Sequence, residues 1–253
     1  MKRPLFLVLL LVFSGLTTEA QKRYVRPKLK SKSTAALKSE NSSDNAIVID
    51  ERLAVLRAAP SLFAKPVQRM RRGRIVRILE TKEADRVTFY RVVVAPRRQG
   101  WVQREAVAGK SRRGDDERLA RLVQSSDGFE QIERAQIFLN NFPASPFRPS
   151  ILLLFGDLME EIALKMSSEA ARRLSRREMA ASGAPLHSFY LNYPSLDRYQ
   201  RLNIGFVFNT STRLFHYDGA SWREIIRKLP ASDEAKEAQR RIDALREKMA
   251  TVN

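Results

Sequence analysis

Few side chains in this sequence are suited to bond-making chemistry. It carries two histidines, His187 and His216, 29 residues apart, and no cysteine. Thiolate chemistry is therefore excluded, and no compact metal-ligand spacing exists. Phe215-His216-Tyr217 sets one histidine among aromatic rings, the setting of a packed structural residue. Glu160 and Glu161 offer two carboxylates, but neighbouring positions on a helix point to different faces, so the pair reads as solvated. The chain has no Gly-x-Ser-x-Gly elbow, no Walker loop and no Gly-x-Gly-x-x-Gly turn. The expectation is a protein that is not an enzyme and that uses neither cofactor nor metal.

Recognition chemistry is better represented. Arg71, Arg72, Arg74, Arg77, Arg91, Arg97 and Arg98 crowd the stretch that also holds Tyr90 and Trp101. Guanidinium forks match carboxylates, and aromatic rings give a flat apolar surface beside them. Tyr90, Arg91, Arg97, Arg98 and Trp101 are the candidate ligand-binding residues; the competing interpretation is a plain solvated basic surface. Trp101 likewise fits two roles, a cover over a small core or a ligand contact. Gly100 before it would let the backbone bend or another strand approach closely.

The charge is unevenly placed. The chain has a formal net charge of +18, and residues 47–110 hold fifteen basic against six acidic side chains, whereas residues 111–253 hold 22 against 19. An acidic partner would thus meet the first half. Charge of this kind also permits nonspecific contact with nucleic acid, but no specific nucleic-acid role is expected.

Export is the expectation from residues 1–20, MKRPLFLVLLLVFSGLTTEA, where Lys2 and Arg3 precede nine apolar residues from Leu5 to Phe13 and small residues end at Ala20. That is the layout of a signal peptide. No later segment approaches the roughly 18 apolar residues of a membrane-spanning helix, so the mature chain is expected to lack one. Residues 21–46, rich in Lys, Ser and Asn, cannot bury enough surface to fold and read as a disordered basic linker. It would serve as a spacer or as a loose contact with anionic lipid or polymer.

From residue 47 the pattern has a period of two: RLAVLR at 52–57, RIVRILE at 74–80, RVTFYRVVVA at 86–95 and GWV at 100–102, separated by turn residues. Alternation in RIVRILE puts Ile75 inward and, after a twist or bulge, Ile78 or Leu79. These features predict a small all-β unit over 47–110. After the charged residues 110–116 the spacing becomes helical, with Phe129, Ile132, Ala135, Leu139 and Phe142 on one face. Pro143 stops that helix. A second, apolar nearly all round from Ile151 to Phe155, should be central, a third is expected over Ser167–Ala181, and Ala235, Ala238, Ile242, Leu245 and Met249 mark a closing helix. Residues 199–217 fit either a β-hairpin or a helix to Phe208 followed by an extended loop, and the helical alternative is preferred, with Ser221 capping the next helix.

The first unit resembles the bacterial SH3-like domain of exported cell-wall proteins. The resemblance rests on Val55-Leu56-Arg57-Ala58-Ala59-Pro60-Ser61, Gly73, Phe89-Tyr90 and Gly100-Trp101-Val102; it covers residues 50–108 and departs from the pattern at Ala58-Ala59. The second half, 111–253, is similar to tetratricopeptide-type repeats. Pro-Ala-Ser at 143–145 recurs at 230–232, each time between two helical patterns, and Leu152, Phe155, Gly156 and Met159 keep that family's spacing without its Trp and Tyr. Together the resemblances imply an α+β chain, a small SH3-like barrel followed by an α-helical hairpin-repeat domain. They imply an exported, periplasmic or cell-envelope protein that contacts peptidoglycan or another anionic envelope polymer through the barrel and a protein partner through the helices. The alternative is a purely protein–protein scaffold with a structural barrel.

Overall fold

The computed structural model describes residues 45–95 and 98–250. The expected signal peptide, and the expected linker apart from Asn45 and Ala46, lie outside the described residues. Within them no helix is long and apolar enough to cross a membrane.

The period-two runs form strands, and the first half is one antiparallel sheet. Its strands are β1 (Asn45–Val48), β2 (Val55–Arg57), β3 (Pro66–Arg69), β4 (Ile75–Ala84), β5 (Val87–Val94), β6 (Arg98–Gln103) and β7 (Val107–Gly109). The pairing order is β3-β2-β6-β5-β4-β1-β7. The order therefore ends at two edges, and the sheet is not the closed barrel expected. One edge, β3, begins at Pro66, which has no N–H to donate, and its register against β2 shifts between Leu56 and Arg57. β4 and β5 are joined by two residues, Asp85 and Arg86, both at positive φ (53° and 60°), as a tight right-twisted hairpin requires.

Alternation decides what the sheet buries. Val76 and Ile78 of β4, Tyr90, Val92 and Val94 of β5, and Val102 of β6 form the core with Leu56 and Met70. Ile75, expected inside, is 65% exposed. The inward phase runs through Val76 and Ile78, and the bulge comes after Ile78 rather than before it.

The second half is mainly helical: α1 (Asp115–Ser125), α2 (Gly128–Asn141), α3 (Arg148–Arg173), α4 (Arg176–Ala181), α5 (Leu186–Leu191), α6 (Asp197–Gln200), α7 (Ala220–Lys228) and α8 (Glu234–Ala250). Ile151 to Phe155 of α3 are all buried, so this helix is central as its composition predicted. The expected third helix is divided. α3 continues to Arg173, and α4 restarts behind Ser175, whose hydroxyl accepts from the Glu178 N–H.

Residues 206–217 correct the helical expectation. They form a hairpin of β8 (Phe206–Asn209) and β9 (Leu214–Tyr217). Its turn is held by the Asn209 side chain, which accepts from the N–H of Ser211 (3.0 Å) and Thr212 (3.3 Å). Phe215 is buried against α3, its N–H donating to Ser167 Oγ at 2.7 Å. α7 is capped by Gly219 at positive φ, and Ser221 is buried within it instead of capping it.

The repeated Pro-Ala-Ser has a structural counterpart. Between α2 and α3, Ser145 N–H donates to the Phe142 carbonyl and Arg148 N–H to that of Ser145; between α7 and α8, Ser232 donates to Leu229 and Ala235 to Ser232. The same turn therefore joins two helical hairpins. Arg148 bridges them by pairing with Glu224 of α7 at 2.7 Å.

Sheet and helices share two strands. Ala46 and Val48 of β1 and Val107 of β7 enter the sheet core, while Ile47, Ile49 and Ala108 join the helical core. The connection at 110–116 is fastened rather than loose. The buried Asp115 carboxylate accepts from Gly109 N–H at 2.8 Å, and Arg118 caps the carbonyls of Glu105 and Val107.

Candidate binding face

The outward side of the sheet holds a row that crosses four strands. Arg57 of β2 stands opposite Trp101 of β6, Trp101 opposite Arg91 of β5, and Arg91 opposite Glu80 of β4. Opposed residues in an antiparallel pair project on the same side, with Cβ atoms about 4.5 to 5.5 Å apart. The half-buried indole of Trp101 is therefore flanked by two guanidinium-bearing residues. Arg91 lies 3.6 Å from the Glu80 carboxylate and 3.4 Å from the Gln99 amide oxygen, both exposed. Arg57 donates to the Ala64 carbonyl at 3.0 Å.

Gly100 gives the row its shape. A Cβ there would lie 2.7 Å from the Arg57 carbonyl oxygen and 2.8 Å from Leu56 Cγ. β2 can lie this close to β6 only because position 100 has no side chain, the close approach that the Gly-Trp pair led us to expect.

Of the five residues singled out in the sequence, the fold brings Arg91 and Trp101 together. Tyr90 projects to the opposite side. It is 1% exposed in the sheet core, with the Arg112 guanidinium 4.0 Å above its ring. Arg98 opens β6 and reaches the Gln68 side chain at 3.4 Å. Arg97 lies outside the described residues. The surrounding arginines also separate. Arg72 turns away to Glu130 (2.7 Å) and Glu133 (2.5 Å) of α2, and Arg74 donates to the Ala95 carbonyl, whereas Arg71 and Arg77 remain exposed. Arg57 was missed by the sequence reading, although the strand pairing of RLAVLR with GWV was its signal.

The helical half holds a second group. Glu160 of α3, expected to be solvated, is instead largely enclosed. Its carboxylate faces His216 Nδ1 at 3.0 Å and accepts from Tyr217 N–H at 2.9 Å and Lys248 Nζ at 2.7 Å. Burial opposes its ionisation, but hydrogen bonds from Lys248, His216 and Tyr217 outweigh burial and lower its pKa. Glu161, one residue on, is exposed and pairs with Lys165. His216 is 2% exposed, and its Nε2 is buried without a hydrogen-bond partner; His187 is exposed on α5. Burial also pushes the Tyr217 hydroxyl up to about 12, although it accepts from Ser221 N–H. Beside this group a cavity of about 510 Å³ opens between α3, Tyr190 and the hairpin turn, lined by Leu164, Ser168, Thr212 and Arg213 among others.

This arrangement offers charge, flat apolar surface and rigid backbone, the means of binding. Among the described residues no three His, Asp or Glu side chains gather as a metal site. No family model, no curated protein and no solved structure matches this chain.

Proposed function

We propose that the chain is a non-enzymatic exported protein of the cell envelope, in which the sheet binds peptidoglycan or another anionic envelope polymer and the helical half contacts a protein partner. The observation that carries this reading is the outward row in which Trp101 lies between Arg57 and Arg91. A half-buried ring presents an apolar face to sugar or peptide, and arginines on either side match carboxylates bidentately. The field around it favours anions, since residues 52–79 contain eight basic side chains and no acidic one.

An SH3-like identity for the sheet draws support from its order. β4, β5 and β6 form a meander, and a short 3-10 turn at Arg104–Ala106 leads to β7, which pairs with β1. A tetratricopeptide-like identity for the helices draws support from the two hairpins closed by the same Pro-Ala-Ser turn. The second reading, a protein–protein scaffold with a structural sheet, is favoured by one observation. Arg72, one of the basic residues near the face, is engaged by α2 instead.

The test is co-sedimentation of the mature chain with purified peptidoglycan sacculi at low and at near-physiological salt. Retention that persists at the higher salt and falls in Trp101→Ala and in Arg91→Ala supports polymer binding. Retention unchanged by both substitutions, or absent at the higher salt, favours the scaffold.

A further inference from the structure

Among the large apolar side chains of the described residues, Phe63 is the most exposed at 90%. It stands at the apex of the loop between β2 and β3, and that loop is rigidly held. The Asp85 carboxylate of the β4–β5 turn accepts from Ser61 Oγ (2.7 Å) and Leu62 N–H (2.8 Å). Ser61 Oγ in turn accepts from Phe63 N–H, and Arg57 grips the carbonyl of Ala64. Contacts from β2 and from the β4–β5 turn thus fix the loop backbone beneath a ring that is itself almost fully exposed.

We infer that this apex is a membrane-contact device, which seats the Phe63 ring in the interfacial layer of an anionic lipid bilayer while nearby basic side chains meet the headgroups. A convex tip with one bare aromatic ring needs no complementary pocket in its partner, and a bilayer interface takes up such rings readily. The loop is already ordered, so inserting it costs little further conformational freedom. The charge is complementary as well. Lys65 follows the ring by two residues, and Lys82 and Arg86 flank the Asp85 that holds the loop; all three are exposed. Of the nearby acids, Asp85 is occupied in holding the loop, which leaves Glu83. Basic side chains near an anionic surface add to the hydrophobic contribution of one ring, and stable attachment generally needs two such signals.

The experiment uses the full mature chain and extruded vesicles, either of phosphatidylcholine alone or with about one third phosphatidylglycerol, at about 0.15 M salt. The expected result is co-sedimentation with the anionic vesicles and not with the neutral ones. Phe63→Ser should lower the apparent partition by roughly tenfold or more, the loss expected for one buried aromatic side chain. It should leave the melting temperature unchanged, because the ring packs against so little. Phe63→Trp supplies a direct probe, whose emission should shift to the blue and be quenched by brominated lipid, after subtraction of the native chain's signal. Equal binding of native and Phe63→Ser protein would overturn the inference, since charge elsewhere, such as residues 21–46, would then account for it. Absence of binding to either vesicle would overturn it too. So would a Phe63→Ser defect seen with sacculi and not with vesicles, which would place the ring against polymer. Sacculus retention and vesicle retention are separate readouts, so failure here leaves the polymer reading of the Trp101 row to stand or fall alone.

Discussion

Arg72, in the turn between β3 and β4, and Glu130 of α2 meet at 2.7 Å, and the same carboxylate also holds Arg134 at 2.6 Å. Arg134 is itself buried, donating to the Ile49 carbonyl and to Ser126 Oγ, and that burial lowers its pKa. Glu130 is thus the carboxylate that two cations share at the seam between the two halves, with Glu133 on Arg72 and Asp50 on Arg134 (3.5 Å) as further countercharges. Glu130→Gln should destabilise the protein by about 1 to 3 kcal/mol, because it removes the charge that both enclosed guanidinium groups share and leaves each with one weaker arrangement of partners. Urea unfolding measures this, and a cycle with Arg72→Met should show the two losses to be less than additive. Additive losses would mean that the residues do not act on each other.

Gly156 on α3 faces Trp222 of α7. A Cβ at this position would lie 2.6 Å from Trp222 Cε2 and 2.7 Å from Ser221 Oγ. Both of those residues are buried, so the clash has no flexible end that can swing aside. Gly156→Ala should cost about 1 to 3 kcal/mol as overpacking, despite alanine's better helix propensity. A melting temperature at or above that of the native protein would refute this.

Gly100→Ala tests the sheet in the same way. The added methyl would push β2 from β6, and the cost should again be about 1 to 3 kcal/mol. Hydrogen exchange should accelerate at β2 and β3 and stay unchanged in α2 and α3, because the substituted strand lies on the side of the sheet away from the helices.

Acid should loosen the α3–β9–α8 junction. Glu160 has a lowered pKa in the folded chain, so it binds its proton more readily when unfolded. Its stabilising contribution is complete above the ordinary glutamate value near 4.5 and disappears as pH falls through the lower folded value. Native stability should therefore decline as pH drops below about 4.5, and Glu160→Gln should show a shallower decline from a lower starting stability. Equal slopes for the two proteins, in urea titrations at several pH values, would contradict this.

Much of the fold was legible because burial imposes a period. The strands at 75–94 and the helices around Phe129 and Ile151 announced themselves through residues that must face one way. The hairpin at 206–217 did not, because Phe206, Phe208 and Phe215 satisfy either period over so few residues. The binding face was legible in part. Adjacent strand residues point to opposite sides, so Tyr90 and Arg91 were never both available to one ligand, and alternation alone carried that information. The partners of Arg72 and Glu160 were not legible. Glu130 lies 58 residues from Arg72, and His216 lies 56 from Glu160; no local pattern marks one arginine as a fastener and its neighbour as free. Charge clusters look alike in sequence and are sorted only by what folds against them.

The β3 edge also bears on how copies of this protein behave in company. An exposed strand is a template on which another chain can grow, yet this one is four residues long, starts with Pro66, shifts register against its neighbour and carries Lys65 and Arg69 on its flank. Each feature discourages edge-to-edge growth. Copies of a chain that shows a bare phenylalanine a few residues away can therefore crowd together with little tendency to pair strand to strand through this edge.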